Sequence, residues 1–156
     1  MEKGHLLDLE KQGKHGVNYR AYWVNVTDGN VYCLAESPSA EAASAVHRDV
    51  DGTVADQIWA VSEAPEVIPP KGTGNLYMET LEMGPGKVNA GEFAALQKKQ
   101  IPVAAEHGVT VLNHWVDATT GTVHRLVEAS DPDAVRKFHK ATGLSAASFD
   151  EVVYGK

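Results

Sequence analysis

His5, Asp8 and Gln12 stand at i, i+3 and i+7, a spacing that sets three polar side chains in one narrow stripe of a helix. Further on, His47 and Asp51 are four residues apart, on one side of a second helical stretch. Imidazole and carboxylate together make the donor set of a borderline divalent metal such as nickel, zinc or cobalt, and ligand type alone does not choose among them. The same residues also read as solvated polar groups on helix borders, and spacing leaves both readings standing. Glu36 and Glu128 each close a strand just before a helix, where a carboxylate either ligates or accepts from the helix N-terminus. Cys33 lies mid-strand, as a packed thiol or a nucleophile. His15 and His107 precede glycines at helix ends and suit capping. His114 and His124 are read as sharing one face of neighbouring strands, either as a second site or as surface histidines. No nucleophile elbow, phosphate loop or dinucleotide fingerprint occurs, and Gly84-Pro85-Gly86-Lys87 has the composition of a phosphate loop without its spacing.

The elements that must position these groups come in two similar sets. An offset of 92 residues places His15-Gly16-Val17 on His107-Gly108-Val109 and Trp23-Val24 on Trp115-Val116. Without a gap it goes on to place Thr27 on Thr119, Gly29 on Gly121, Glu36 on Glu128 and His47 on His139. Each copy carries Val-, Tyr- and Trp-rich residues (17 to 26, 109 to 117), a turn at Asp28-Gly29 or Thr120-Gly121, and a second run, which together predict a β-hairpin. A helix follows, opened by Ser39 in one copy and Asp131-Pro132 in the other. Last strands are predicted at Ile58 to Val61 and Phe149 to Tyr154. Helices over 3 to 14 and 91 to 106 precede the hairpins, the second with Pro102 as a kink point.

With an opening strand at Leu76 to Met83, the second copy has the order βαββαβ of a ferredoxin-like unit, and the first copy lacks that strand. The expected fold is therefore α+β, with tandem ferredoxin-like repeats at 1–63 and 76–156 and a linker at 64–75 rich in Pro and Gly. Tyr19 and Trp23 are read as pointing one way and Tyr22 and Val24 the other, and apolar or aromatic residues on both faces of the hairpins call for cover on each side. Two such sheets packed face to face would make a pseudo-symmetric α/β barrel.

The formal net charge of −7 excludes the basic patch that nucleic acid requires, and no run approaches the roughly 18 apolar residues of a spanning helix. One cysteine leaves no internal disulfide and no Cys-rich zinc site. The charged start, Met1-Glu2-Lys3-Gly4-His5, has no signal-peptide core, so the expected compartment is the cytoplasm.

His5, Asp8, Leu9 and Gln12, then Gly16-Val17, Tyr22-Trp23, Val31-Tyr32-Cys33-Leu34, Glu36-Ser37-Pro38-Ser39, Glu41-Ala42 and Val46-His47 carry a resemblance. They resemble the nickel-binding, ferredoxin-like family of small bacterial proteins, over nearly all of residues 4 to 62 and more weakly over 76 to 154. The resemblance implies a ferredoxin-like fold, self-association through the sheet, and nickel or a similar divalent ion as ligand. It also implies His5, Asp8 and His47 as metal ligands, with Glu36 as a further one. Gln97, Gln100 and Ala104 replace His5, Asp8 and Gln12 in the second copy, while Glu128 and His139 remain. Copy one is thus the metal-site candidate and copy two its structural partner.

The function expected is metal binding, in nickel handling or sensing. Its rival is an enzyme resembling small monooxygenases or isomerases, with His114, His124 or Tyr22 as acid or base in a cleft between the sheets.

Overall fold

The computed structural model describes residues 2–62 and 65–155, with backbone only for residues 2–5. The chain runs through α1 (Glu2–Lys11), a 3-10 turn (Gln12–His15), β1 (Asn18–Asn25), β2 (Val31–Glu36) and α2 (Ala40–Asp49). It continues as β3 (Asn75–Glu82), α3 (Ala90–Glu106), β4 (Val109–Asp117), β5 (Thr122–Ala129), α4 (Pro132–Thr142) and β6 (Ser148–Tyr154). Contacts divide it into two compact units, one from residues 1–24, 30–58 and 154–156, the other from 25–29 and 59–153.

In the second unit β3 lies between β5 and β6, and β5 pairs in turn with β4, all antiparallel. With α3 and α4 as the connections, this is a complete βαββαβ unit. Phe138, Val135, Tyr77 and Val127 form one core cluster and Phe93, Leu81, Val116 and Val123 another. A capping box at Asn89 and Glu92 starts α3, which then runs through Pro102.

In the first unit the β1–β2 hairpin carries α2, whose opening is fixed by Ser39 Oγ accepting from the Ala42 N–H at 3.1 Å. Asp131 does the same for Ala134 at the start of α4, at 2.9 Å. The two hairpins share one register. Asn18 faces Glu36, Tyr22 faces Cys33 and Trp23 faces Tyr32; Thr110 faces Glu128, His114 faces Arg125 and Trp115 faces His124. Even the irregularity repeats, between Tyr19 and Ala21 in β1 and between Val111 and Asn113 in β4. Each turn is closed alike, by Asn25 Oδ1 on the Thr27 N–H and by Asp117 Oδ1 on the Thr119 N–H.

Two expectations are corrected. Residues 58–61 form no strand: the Trp59 ring meets His124 edge-on at 4.3 Å, and the Ser62 N–H donates to the Val116 carbonyl at 3.3 Å. Side-chain packing of Trp59, rather than a ladder, places the segment. Tyr19 does not share a face with Trp23. The bulge at Arg20 inserts a residue and turns Tyr19 to the Tyr22 and Cys33 side.

Candidate metal centre

Helix α1 packs against α2, and the contact brings Asp8 to His47. Asp8 Oδ2 lies 3.1 Å from His47 Nδ1, with the Asp8 and His47 side chains 10% and 17% exposed. The other imidazole nitrogen, Nε2, is 3.1 Å from the Tyr19 hydroxyl, and the Tyr19 and His47 rings meet edge-on at 6.0 Å. The Arg20 bulge thus delivers the phenol to this cluster. A hydroxyl both donates and accepts, so Tyr19 suits either tautomer of His47. Burial, then the Asp8 charge, pushes the Tyr19 phenol well above its ordinary range, which keeps it a neutral hydroxyl. Cys33 retains accessible surface, yet is enclosed closely enough that burial, then the Asp8 charge, pushes its thiol up to about 11.

The expected ligands therefore divide. Asp8 and His47 are together. The side chain of His5 lies outside the described residues, although its backbone is in α1, three positions before Asp8. Glu36 is engaged elsewhere, in an ion pair with Arg20 and as acceptor from Asn18 Nδ2 at 3.3 Å. Gln12 falls beyond α1, and its Oε1 accepts the Tyr19 N–H at 2.7 Å, an anchor for β1. Asp51 does not share a helical face with His47, because α2 ends at Asp49 and Asp51 sits in the left-handed region at φ 51°. His15 joins Lys14 on Asp49, at 2.9 and 2.6 Å; these partners, Lys14 first, hold the Asp49 carboxyl down to about 2.

The second unit treats the equivalent positions differently. His139 pairs with Glu79 of β3, and Glu79 also accepts from Arg125 Nε. Arg125 Nη1 donates to Gln100 Oε1 at 3.0 Å. Burial raises the Glu79 carboxyl, but His139 and Arg125 outweigh it and hold it below the usual range. This buried network escaped the sequence reading, and its one signal was a charged pair, Glu79 and Arg125, inside apolar strands. Glu128, aligned with Glu36, accepts the backbone N–H groups of Lys71, Thr73 and Gly74, which lowers its carboxyl against the effect of burial. Gly74 has to be glycine here, since a Cβ would fall 2.3 Å from the Ala129 carbonyl oxygen.

His114 and His124 lie on opposite faces. His114 is opposite Arg125, one residue from His124, which is opposite Trp115, so the period-2 alternation separates them. His114 bonds Gln97 at 2.9 Å and His124 is within 3.3 Å of Thr80 Oγ1. They do not form one acid–base pair.

Two donors bound to one ion at right angles, each about 2.1 Å from it, are separated by about 3 Å, close to the 3.1 Å between Asp8 and His47. Asp8 Oδ1 is buried and has no hydrogen-bond partner among the described residues, a vacant lone-pair site that a cation would satisfy. Among the described residues no three His, Cys, Asp or Glu side chains converge as a complete ligand set. Asp8 and His47 fit a divalent ion as part of a shell.

The family described as nickel responsive protein SCO4226-like matches residues 1–61 and 77–152. Two solved structures are similar. One is SCO4226 from Streptomyces coelicolor A3(2), 21% identical, covering 52% of this chain and 99% of that one at a TM-score of 0.48. The other is a putative monooxygenase from Lactobacillus acidophilus NCFM, 15% identical, covering 97% of this chain and 84% of that one at 0.43. No curated protein matches. Among the described residues no helix is long and apolar enough to cross a membrane.

Proposed function

We infer that this chain, which belongs to the nickel responsive SCO4226-like family, binds a divalent ion of the nickel type in its first unit. The observation that carries this reading is the meeting of Asp8 and His47, from two helices, at the separation of two neighbouring metal donors. His5, one helical turn before Asp8, is the third ligand in this reading, and water completes the shell of an ion that prefers more donors than three. The Tyr19 hydroxyl donates to His47 Nε2 in the metal-free protein and accepts a hydrogen bond from the Nε2–H when Nδ1 binds the ion, as an outer partner orients a metal-binding imidazole. Glu36 stands outside this inner set because Arg20 and Asn18 engage it. The biological role that goes with such a site is nickel handling or sensing.

The chain is read as a tandem duplication of one module, 1–63 and 76–156. The shared hairpin register and the repeated bulge support that reading.

The test is calorimetric titration of chelator-stripped protein with nickel, cobalt, zinc and copper in turn. Near-stoichiometric uptake of nickel that Asp8→Asn and His47→Ala abolish supports the reading. Uptake unaffected by both substitutions, or no uptake, refutes it.

A further inference from the structure

The second unit keeps a histidine, His139, where the first has His47, but its remaining groups differ in charge. Glu79 is fully buried and carries a carboxylate; Arg125 is fully buried and carries a guanidinium. A buried carboxylate requires a cation beside it. Here the chain supplies one: Arg125 Nε donates to Glu79, Nη1 donates to Gln100 Oε1 at 3.0 Å, and the guanidinium carbon lies 4.9 Å from the centre of the Phe138 ring. His139 reaches the other oxygen of the same carboxylate.

Three of the four groups occupy positions that correspond to the first unit's cluster, and Glu79, on the strand that the first copy lacks, has no counterpart there. Gln100 on α3 matches Asp8 on α1, and His139 on α4 matches His47 on α2. Arg125 opposite His114 matches Cys33 opposite Tyr22. At His47 Nε2 the first unit has the Tyr19 hydroxyl, where the second has Glu79 at His139 Nε2. Where the second unit sets a guanidinium, the first has an uncharged thiol, and Asp8 has no Lys or Arg partner among the described residues.

We propose that the Arg125 guanidinium stands in for the metal ion in the second unit, so that Glu79, His139 and Gln100 form a masked divalent-cation site and the chain binds one ion rather than two. The inference rests on the metal reading of the first unit. It assigns to Arg125 the role of fixing stoichiometry, and to Glu79 and His139 a latent carboxylate and imidazole donor pair of the kind nickel takes.

The experiment is nickel titration of the full chain by calorimetry, with folding monitored by circular dichroism, for the parent, Arg125→Ala, Arg125→Lys and Arg125→Ala combined with His139→Ala. The parent is expected to bind close to one ion per chain and Arg125→Ala close to two. Arg125→Lys keeps a cation in place and stays at the parent value, and the double variant returns to it. A folded Arg125→Ala protein with the parent stoichiometry overturns the proposal. If Arg125→Ala does not fold without metal, His139→Ala on the native background decides: unchanged nickel stoichiometry and affinity support the masked site, and loss of the parent's nickel overturns it. A parent that binds no nickel while Arg125→Ala binds one ion would refute the first-unit site and with it the count of one ion per native chain, and would support the masked site at Glu79 and His139.

Discussion

Asp8 Oδ2 and His47 Nδ1 meet at 3.1 Å across the contact between α1 and α2, and that meeting unites residues 39 positions apart in the chain. A proton bridges two such atoms as readily as a metal ion does. Metal must therefore compete with hydrogen bonding at this pair, and binding weakens as the solution is acidified.

Tyr19→Phe keeps the ring and removes the hydroxyl at His47 Nε2. Nickel affinity is expected to fall by about 10- to 100-fold, the usual effect of deleting an outer partner of a metal-binding imidazole. Melting temperature without metal should change little. An affinity equal to the parent's would show that Tyr19 does not orient the ring.

Arg125→Met removes the guanidinium from buried Glu79 and leaves His139 as its remaining hydrogen-bond partner. Urea unfolding of the metal-free variant should show a loss of about 3–5 kcal/mol, the effect of removing one member of a buried ion pair. A variant as stable as the parent would mean that Glu79 takes up a proton at no cost.

His124 is held down to about 4 from 6.5 by burial. Between those two values the unfolded chain takes up a proton that the folded chain refuses, so stability falls as pH drops from 6.5 and levels off near 4. The contribution is at most roughly 3 kcal/mol. His124→Phe should flatten this part of the stability–pH curve relative to the parent, and identical slopes for both proteins would contradict the assignment.

Glu128→Gln weakens the carboxylate's hold on the N–H groups of Lys71, Thr73 and Gly74. The expected loss is roughly 1–3 kcal/mol, with faster tryptic cleavage after Lys71. Cleavage at the parent's rate would show that other contacts fix the segment.

The elements were legible because their signals are local. The 92-residue offset located both hairpins, and Ser39 and Asp131 marked helix starts that the structure places there. The Asp8–His47 pairing was legible only through the family resemblance, because nothing in the spacing of residues 8 and 47 requires contact. The bulge at Arg20 carried no composition signal, since arginine is not a turn residue, so the facing of Tyr19 was misassigned and its hydrogen bond to His47 was missed. The Glu79–Arg125 network went unseen for a related reason: a strand charge reads as solvent-facing until the fold supplies its partner. Trp59 and Ile58 looked like strand residues because apolar runs favour strands, whereas Trp59 packs on His124.

The most direct test of the metal reading is anomalous diffraction at the nickel absorption edge from crystals of the full chain loaded with nickel. A peak is expected in the first unit, bonded to Asp8 and His47 Nδ1, with none at Glu79 and His139 while Arg125 is present. A nickel peak at Glu79 and His139 in the native protein, or the absence of one at Asp8 and His47 in nickel-saturated crystals, would contradict this expectation.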